Sequence, residues 1–427
     1  MVSGKKRTVI IGIDGVPFGL LKELAQKGVM PGFGALRKEG VFTPMRSSIP
    51  EISSVSWSSI ITGKNPGEHG IYGFTGLIEG TYTVYFPSFR KLGAPAFWHQ
   101  GGKRTYVILN VPSTYPAAEL NGVHISGFVS PDLKRAVYPP SYLDKLRELG
   151  YRVDVDAEKA HKSISLFLDD LFKTHEIRLK TYRYLWKELD WDVFMVVFTG
   201  SDRLGHFLWH AYEDENNEHH PRFLHYFREV DRAIGEIAGN ISDQDQLIML
   251  SDHGMEGIKM NLNVNSCLAH ESLLLLGDKP GEGYKNIQKG SKAFALDPGR
   301  IYLNREGKYP RGSVKPGEEE GILQSLISIF HDLEYNGEKV IKRVYRRDEI
   351  YHGRQLEYAP DLVLMSNTGF NLKASMDAAG KDIFQPGGIF SGKHTYDDAF
   401  LYVKRNVDLV PGEPCVEDAR KIIEGGY

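Results

Sequence analysis

Four short apolar runs in this chain stop at, or are preceded by, residues that bind metals. Thr8–Ile13 is followed by Asp14-Gly15, and Val193–Phe198 by Thr199-Gly-Ser-Asp202-Arg-Leu-Gly-His206. Gln246–Leu250 is followed by Ser251-Asp252-His253-Gly254, and Ser391-Gly-Lys-His394 precedes the run at Phe400. Singly, each has an ordinary explanation. Asp14 suits a helix N-cap, Asp202 and His206 a surface pair, Asp252-His253 a polar turn, and His394 a structural role. Jointly, Asp14, Asp202, Asp252, His206, His253 and His394 form a mixed oxygen and nitrogen donor set suited to two divalent ions of the zinc or manganese type. If Asp202 begins a helix, its four-residue spacing from His206 puts both on one face. The chain has 2 Cys and 15 His, so a metal site must be built from His and carboxylates.

A hydroxyl nucleophile is available in Pro50-Glu-Ile-Ser53-Ser54-Val-Ser56-Trp57-Ser-Ser-Ile-Ile-Thr62-Gly. The Ser-rich start leads into a predicted helix over Trp57–Ile61. A hydroxyl at a helix N-terminus sits where backbone N–H groups and the dipole favour anions such as phosphate. Ser58 and Ser59 read as ordinary helix-start residues.

Elements must bring these segments together. The runs at Val9–Ile13, Thr105–Leu109, Val123–Phe128, Val193–Phe198, Gln246–Leu250, Asp361–Met365 and Phe400–Val403 are apolar at both alternating positions. That pattern predicts strands of a parallel or mixed sheet covered on both faces. Helical patterns over 31–39, 166–189 and 223–241 lie between them. Alternation of this kind predicts a layered α/β fold, and in open α/β sheets ligands collect at the carboxyl ends of strands. Stretches at about 73–100, 129–165 and 255–345 break the alternation and read as insertions on one domain spanning 1–427.

Composition limits the classes of function. Lys and Arg total 52 and Asp and Glu 55, for a net charge of −3. This balance argues against a nucleic-acid binder that relies on a large net positive charge, leaving only a local patch open, and no interleaving of basic and aromatic residues points to such a partner. No run approaches the roughly eighteen apolar residues of a membrane span, and the N-terminus lacks a signal-peptide pattern. The expected location is the cytoplasm.

In order along the chain, Asp-Gly after the first strand, the Pro50…Ser53…Thr62-Gly…Pro66…His69-Gly-Ile run, Asp202…His206, Ser251-Asp-His-Gly and Gly392-Lys-His394 resemble the alkaline phosphatase superfamily. The nearest branch looks like the type I phosphodiesterase/nucleotide pyrophosphatase group, more narrowly its phosphohydrolase/phosphomutase proteins. The resemblance implies an α/β/α core with a mostly parallel sheet and cap insertions. It assigns Asp14, Asp252 and His253 to one metal and Asp202, His206 and His394 to another. Ser53, nine residues before Thr62, becomes the nucleophile and a further metal ligand, with neighbouring Ser54 as the alternative. The implied activity is hydrolysis of a small phosphorylated substrate through a phosphoseryl intermediate, with two divalent ions, zinc or manganese. A phosphomutase is the alternative, and a binding protein with a relic site or a sulfatase are lesser ones.

Nucleotide pyrophosphatases carry Thr at the nucleophile and Asn three residues on. Here these are Ser53 and Ser56, Ser56 being a weaker donor to phosphate. His69 is taken as structural, and Tyr302 has no assigned role. Lys393 reads either as a phosphate contact or as a solvated lysine. Trp57, Phe74, Tyr82, Tyr85, Phe86, Phe97 and Trp98 read as packing rather than as pocket lining.

Overall fold

Residues alternate sides along the first strand, β1 (Thr8–Ile13), and every one of its six residues is buried. Val9, Ile11 and Ile13 enter one hydrophobic cluster and Ile10 a second. Covering on both faces explains why the run is apolar throughout. The computed structural model describes residues 6–99, 102–277, 281–404 and 413–425.

The chain divides into two compact units. The first comprises residues 1–64, 88–257 and 389–427, and the second 65–87 and 258–388. Of the predicted insertions, 129–165 falls in the first unit. The stretches at 73–100 and 255–345 are each divided between the two.

The first unit is built on an eight-stranded sheet. After β1 come β2 (Gly40–Met45), β3 (Tyr106–Val111), β4 (Gly122–Ser126), β5 (Val137–Tyr138), β6 (Val193–Phe198), β7 (Gln246–Leu250), a short β8 (Gly254–Gly257), β9 (Gly392–Thr395) and β10 (Ala399–Lys404). The spatial order is β2-β10-β7-β1-β6-β3-β4-β5, while β8 and β9 form a separate antiparallel pair. β7, β1, β6, β3 and β4 run parallel, and β10 is antiparallel to β7. Helices α1 (Phe18–Gln26), α2 (Ser53–Thr62), α3 (Ile164–Glu188), α4 (Gly200–Glu213) and α5 (His220–Gly239) cover the sheet. Apolar residues of α1, α3, α4 and α5 join the cluster containing Val9, whereas Trp57, Ile60 and Ile61 of α2 join that containing Ile10. This is the expected three-layer α/β/α arrangement with a mostly parallel sheet.

Two strands depart from the sequence reading. Asp361–Met365 was expected in the core sheet. It forms Leu362–Ser366 in an antiparallel four-stranded sheet of the second unit, which has its own apolar cluster. An apolar run reports that both faces are covered, not by which layer. β2 had no signal: it is a half-buried edge strand containing Pro44, which an edge tolerates because it needs fewer ladder donors.

Candidate active site

Close packing at the carboxyl ends of the central strands fixes the local geometry. Asp14 follows β1. Gly15 has φ +68°, and a Cβ there would lie 3.0 Å from the backbone of Asp202, so the turn needs glycine. The Gly15 N–H donates to Asp252 Oδ1 at 3.1 Å. Asp202 and His206 lie one turn apart on α4, which follows β6. Asp252 and His253 follow β7, and His394 sits on β9 opposite Met255 of β8. That pairing carries His394 to His253, and the two rings stack with centroids 3.5 Å apart.

The donors converge as two groups, Asp14–Asp252–His253 and Asp202–His206–His394, with the ligand atoms of each within 4.8 Å of one another. The groups adjoin: His253 Nε2 is 3.7 Å from Asp14 Oδ1 and 3.9 Å from Asp202 Oδ1. Ser53 is the first residue of α2, and its Oγ lies 3.0 Å from His253 Nε2 and 3.4 Å from Asp14 Oδ1. Ser54 Oγ is buried with no hydrogen-bond partner among the described residues.

All three imidazoles face backbone carbonyls with Nδ1: His206 to Gly392 O at 2.9 Å, His394 to Glu51 O at 2.9 Å and His253 to Gly254 O at 2.9 Å. A carbonyl only accepts, so each Nδ1 donates, and Nε2 is the nitrogen that each ring turns toward the carboxylates. Two such nitrogens, on His206 and His394, lie 2.9 Å apart and close to Asp202 Oδ1. With Asp202 they make a cluster of nitrogen and oxygen ligand atoms that a divalent cation would satisfy. Asp252 Oδ2 is likewise buried without a hydrogen-bond donor among the described residues.

Charge points the same way. Burial, then repulsion from Asp252 and Asp202, holds Asp14 well above the usual carboxylate range, against the Arg203 charge and the Trp57 hydrogen bond. Burial also raises Asp252, opposed by His253 and the Gly15 N–H. Burial would raise Asp202 too, but His206, the His394 hydrogen bond and Arg203 hold it well below its ordinary value. Burial lowers His206 despite Asp202, and pushes His394 down to about 3. Buried carboxylates crowded together beside imidazoles make a site that divalent cations would neutralise. The donor set therefore fits two such ions.

A sequence profile of the family described as type I phosphodiesterase / nucleotide pyrophosphatase matches residues 8–397. The chain belongs to that family. It is a metal-dependent phosphoric ester hydrolase of the alkaline phosphatase superfamily. The match does not favour the mutase alternative.

The fold of this phosphodiesterase-family chain is similar to phosphonoacetate hydrolase from Sinorhizobium meliloti 1021, solved with phosphonoformate. Identity is 17%, the TM-score 0.66, and coverage 98% of this chain and 95% of that one. It is also similar to murine ectonucleotide pyrophosphatase/phosphodiesterase 5, solved as an inactive variant with AMP. There identity is 13%, the TM-score 0.55, and coverage 98% and 94%. No curated protein matches in sequence.

Other sequence candidates have different surroundings in this phosphodiesterase-family chain. Ser56, read as a weak donor to phosphate, is fully buried. Its Oγ is bonded to Ser47 Oγ at 2.9 Å and Ser48 Oγ at 2.7 Å, which removes it from that role. Lys393 is buried and paired with Glu256 at 3.0 Å, so it is not a solvated lysine. His69 and Tyr302 are buried in the second unit, where His69 Nδ1 accepts from the Ile71 N–H at 3.1 Å and Tyr302 stacks on Phe294. Phe97 and Trp98 are core residues of the first unit and Tyr82 of the second, Tyr85 and Phe86 are exposed, and Phe74 is half-buried. Trp57 packs in the core and also donates from Nε1 to Asp14 Oδ2 at 3.2 Å. Gly12 leaves room for that ring, since a Cβ there would lie 2.4 Å from it. Sequence reasoning missed this support; a glycine inside an otherwise β-branched strand was the available signal. Among the described residues, no helix is long and apolar enough to cross a membrane.

Proposed function

We propose that this chain hydrolyses a small phosphorylated or phosphonate substrate through a phosphoseryl intermediate on Ser53. In this reading Asp14, Asp252 and His253 hold one divalent cation and Asp202, His206 and His394 a second, zinc or manganese, with the Ser53 oxygen as a further ligand. The observation that carries it is the buried Ser53 hydroxyl, 3.0 Å from His253 Nε2 and 3.4 Å from Asp14 Oδ1, at the start of α2.

When bound, the cations would lower the pKa of a coordinated hydroxyl and neutralise charge on phosphoryl oxygens. The protein supplies placement. Trp57 and the turn at Gly15 hold Asp14 and Asp252, and the carbonyls of Glu51, Gly254 and Gly392 fix the imidazole tautomers. Ser53 Oγ attacks phosphorus in line. The new O–P bond forms as the bond from phosphorus to the leaving group breaks, at oxygen in an ester and at carbon in a phosphonate, and the serine proton passes to that leaving group; water then cleaves the phosphoserine to phosphate and regenerates the hydroxyl. The amino end of α2 favours the anion that develops there.

A panel of p-nitrophenyl mono- and diesters together with phosphonoacetate, each assayed with Zn²⁺, Mn²⁺ and Mg²⁺, tests this reading. Metal-dependent release from at least one substrate class supports it, and the preferred class names the substrate. Release that persists after complete chelation would contradict it.

A further inference from the structure

Asp202 divides its two oxygens between different neighbours. Oδ1 turns toward the imidazoles, at 3.1 Å from His394 Nε2 and 3.3 Å from His206 Nε2. Oδ2 faces Arg203 Nη1 at 3.5 Å. The guanidinium is itself held: Nε and Nη2 both donate to Asp154 Oδ2, at 2.9 and 2.8 Å, and its carbon lies 4.4 Å over the Phe128 ring. Asp154 is fixed in turn, because its Oδ1 accepts from the Val155 N–H at 2.9 Å and from Thr199 Oγ1 at 3.4 Å. Side-chain exposure is 19% for Arg203 and 12% for Asp154, so water competes little for the pair. A carboxylate rotates easily about its last torsion, and here one face of that rotation is occupied by a fixed cation.

We propose that Asp154 and Arg203 are positioning residues that set the orientation of Asp202 and, through it, the affinity of the Asp202–His206–His394 group for its divalent cation. Asp154 locks the guanidinium plane, and Arg203 holds Oδ2, leaving Oδ1 as the oxygen offered to the cation. Outer partners of this kind change metal affinity by about 10–100-fold when removed. Lysine is a poor replacement, since it keeps the charge and loses the planar fork. The inference rests on the two-cation reading above.

The test is titration of the whole protein with Zn²⁺ against a chromogenic chelator, for the parent and for Asp154→Asn, Arg203→Met and Arg203→Lys. The near-isosteric Asp154→Asn keeps the test available if Arg203→Met does not fold. The parent is expected to bind two ions. Each variant is expected to lose about 10–100-fold at one site and retain parental affinity at the other, with Arg203→Lys recovering only part of the loss. Equal weakening of both sites would indicate a general structural role and overturn the inference, as would unchanged affinity at both. A parent that binds fewer than two Zn²⁺ would overturn the two-cation reading itself and the inference with it, whereas a two-ion parent with unaffected variants overturns the inference alone.

Discussion

His206 Nε2 and His394 Nε2 face each other at 2.9 Å, each with its other ring nitrogen donating to a backbone carbonyl. Asp202 Oδ1 lies 3.1 Å from one of these nitrogens and 3.3 Å from the other, so the three ligand atoms form one tight group. Such a group would hold a divalent cation, with the Asp202 carboxylate supplying negative charge.

Removal of metal is therefore expected to lower stability as well as activity. Occupancy at 100 times the dissociation constant stabilises by about 2.7 kcal/mol per site. Dialysis against a chelator followed by thermal unfolding should show a lower midpoint, restored by Zn²⁺ or Mn²⁺. A midpoint indifferent to both would contradict the donor assignment.

Substitution of one ligand from each group should separate the sites. Asp252→Asn and His394→Ala are each expected to reduce turnover at least about 100-fold, in line with the stabilisation a bound cation gives phosphoryl transfer. Zn²⁺ stoichiometry by elemental analysis should fall from two toward one in each. Full stoichiometry in either variant would remove that residue from the site.

The support behind Asp14 has its own test. An added methyl at Gly12 would lie 2.4 Å from the Trp57 ring and 2.9 Å from Val197. Gly12→Ala is expected to cost about 1–3 kcal/mol and to disturb the Trp57 hydrogen bond to Asp14. Urea unfolding measures the first effect and kcat the second. Trp57→Phe should lower kcat with a smaller change in stability, because the ring remains.

Acid sensitivity follows from buried neutral histidines. Burial pushes His69 down to about 3 from an ordinary 6.5. Between those values the unfolded chain binds a proton that the folded chain does not, so stability falls as pH drops from about 6.5 toward 3. His69→Gln should make the slope of stability against pH shallower by about 1.4 kcal/mol per pH unit in that window. Parallel slopes for the parent and the variant would show that His69 titrates normally.

Much of this was legible in the sequence because burial on both faces writes itself as unbroken apolar runs. Thr8–Ile13, Val193–Phe198 and Gln246–Leu250 are such runs, and polar residues at their ends mark the open edge of the sheet. The same signal misplaced Asp361–Met365, since it does not say which layer covers a strand. Ser56 was misread because its partners Ser47 and Ser48 come from the segment before the helix, where no periodicity announces them. The Asp154–Arg203 pair joins residues 49 apart in sequence, and nothing around Asp154 advertises it. Long-range polar contacts leave no local pattern; only the fold reveals them.

The central claim is that Ser53 carries the phosphoryl group. Rapid-quench turnover followed by peptide mass analysis tests it most directly. The expected result is a transient phosphoryl adduct on the peptide containing Ser53, fragmented to that residue and absent from Ser53→Ala, which retains its metal. An adduct on Ser54 instead, or Ser53→Ala turning over near the parental rate, would contradict it.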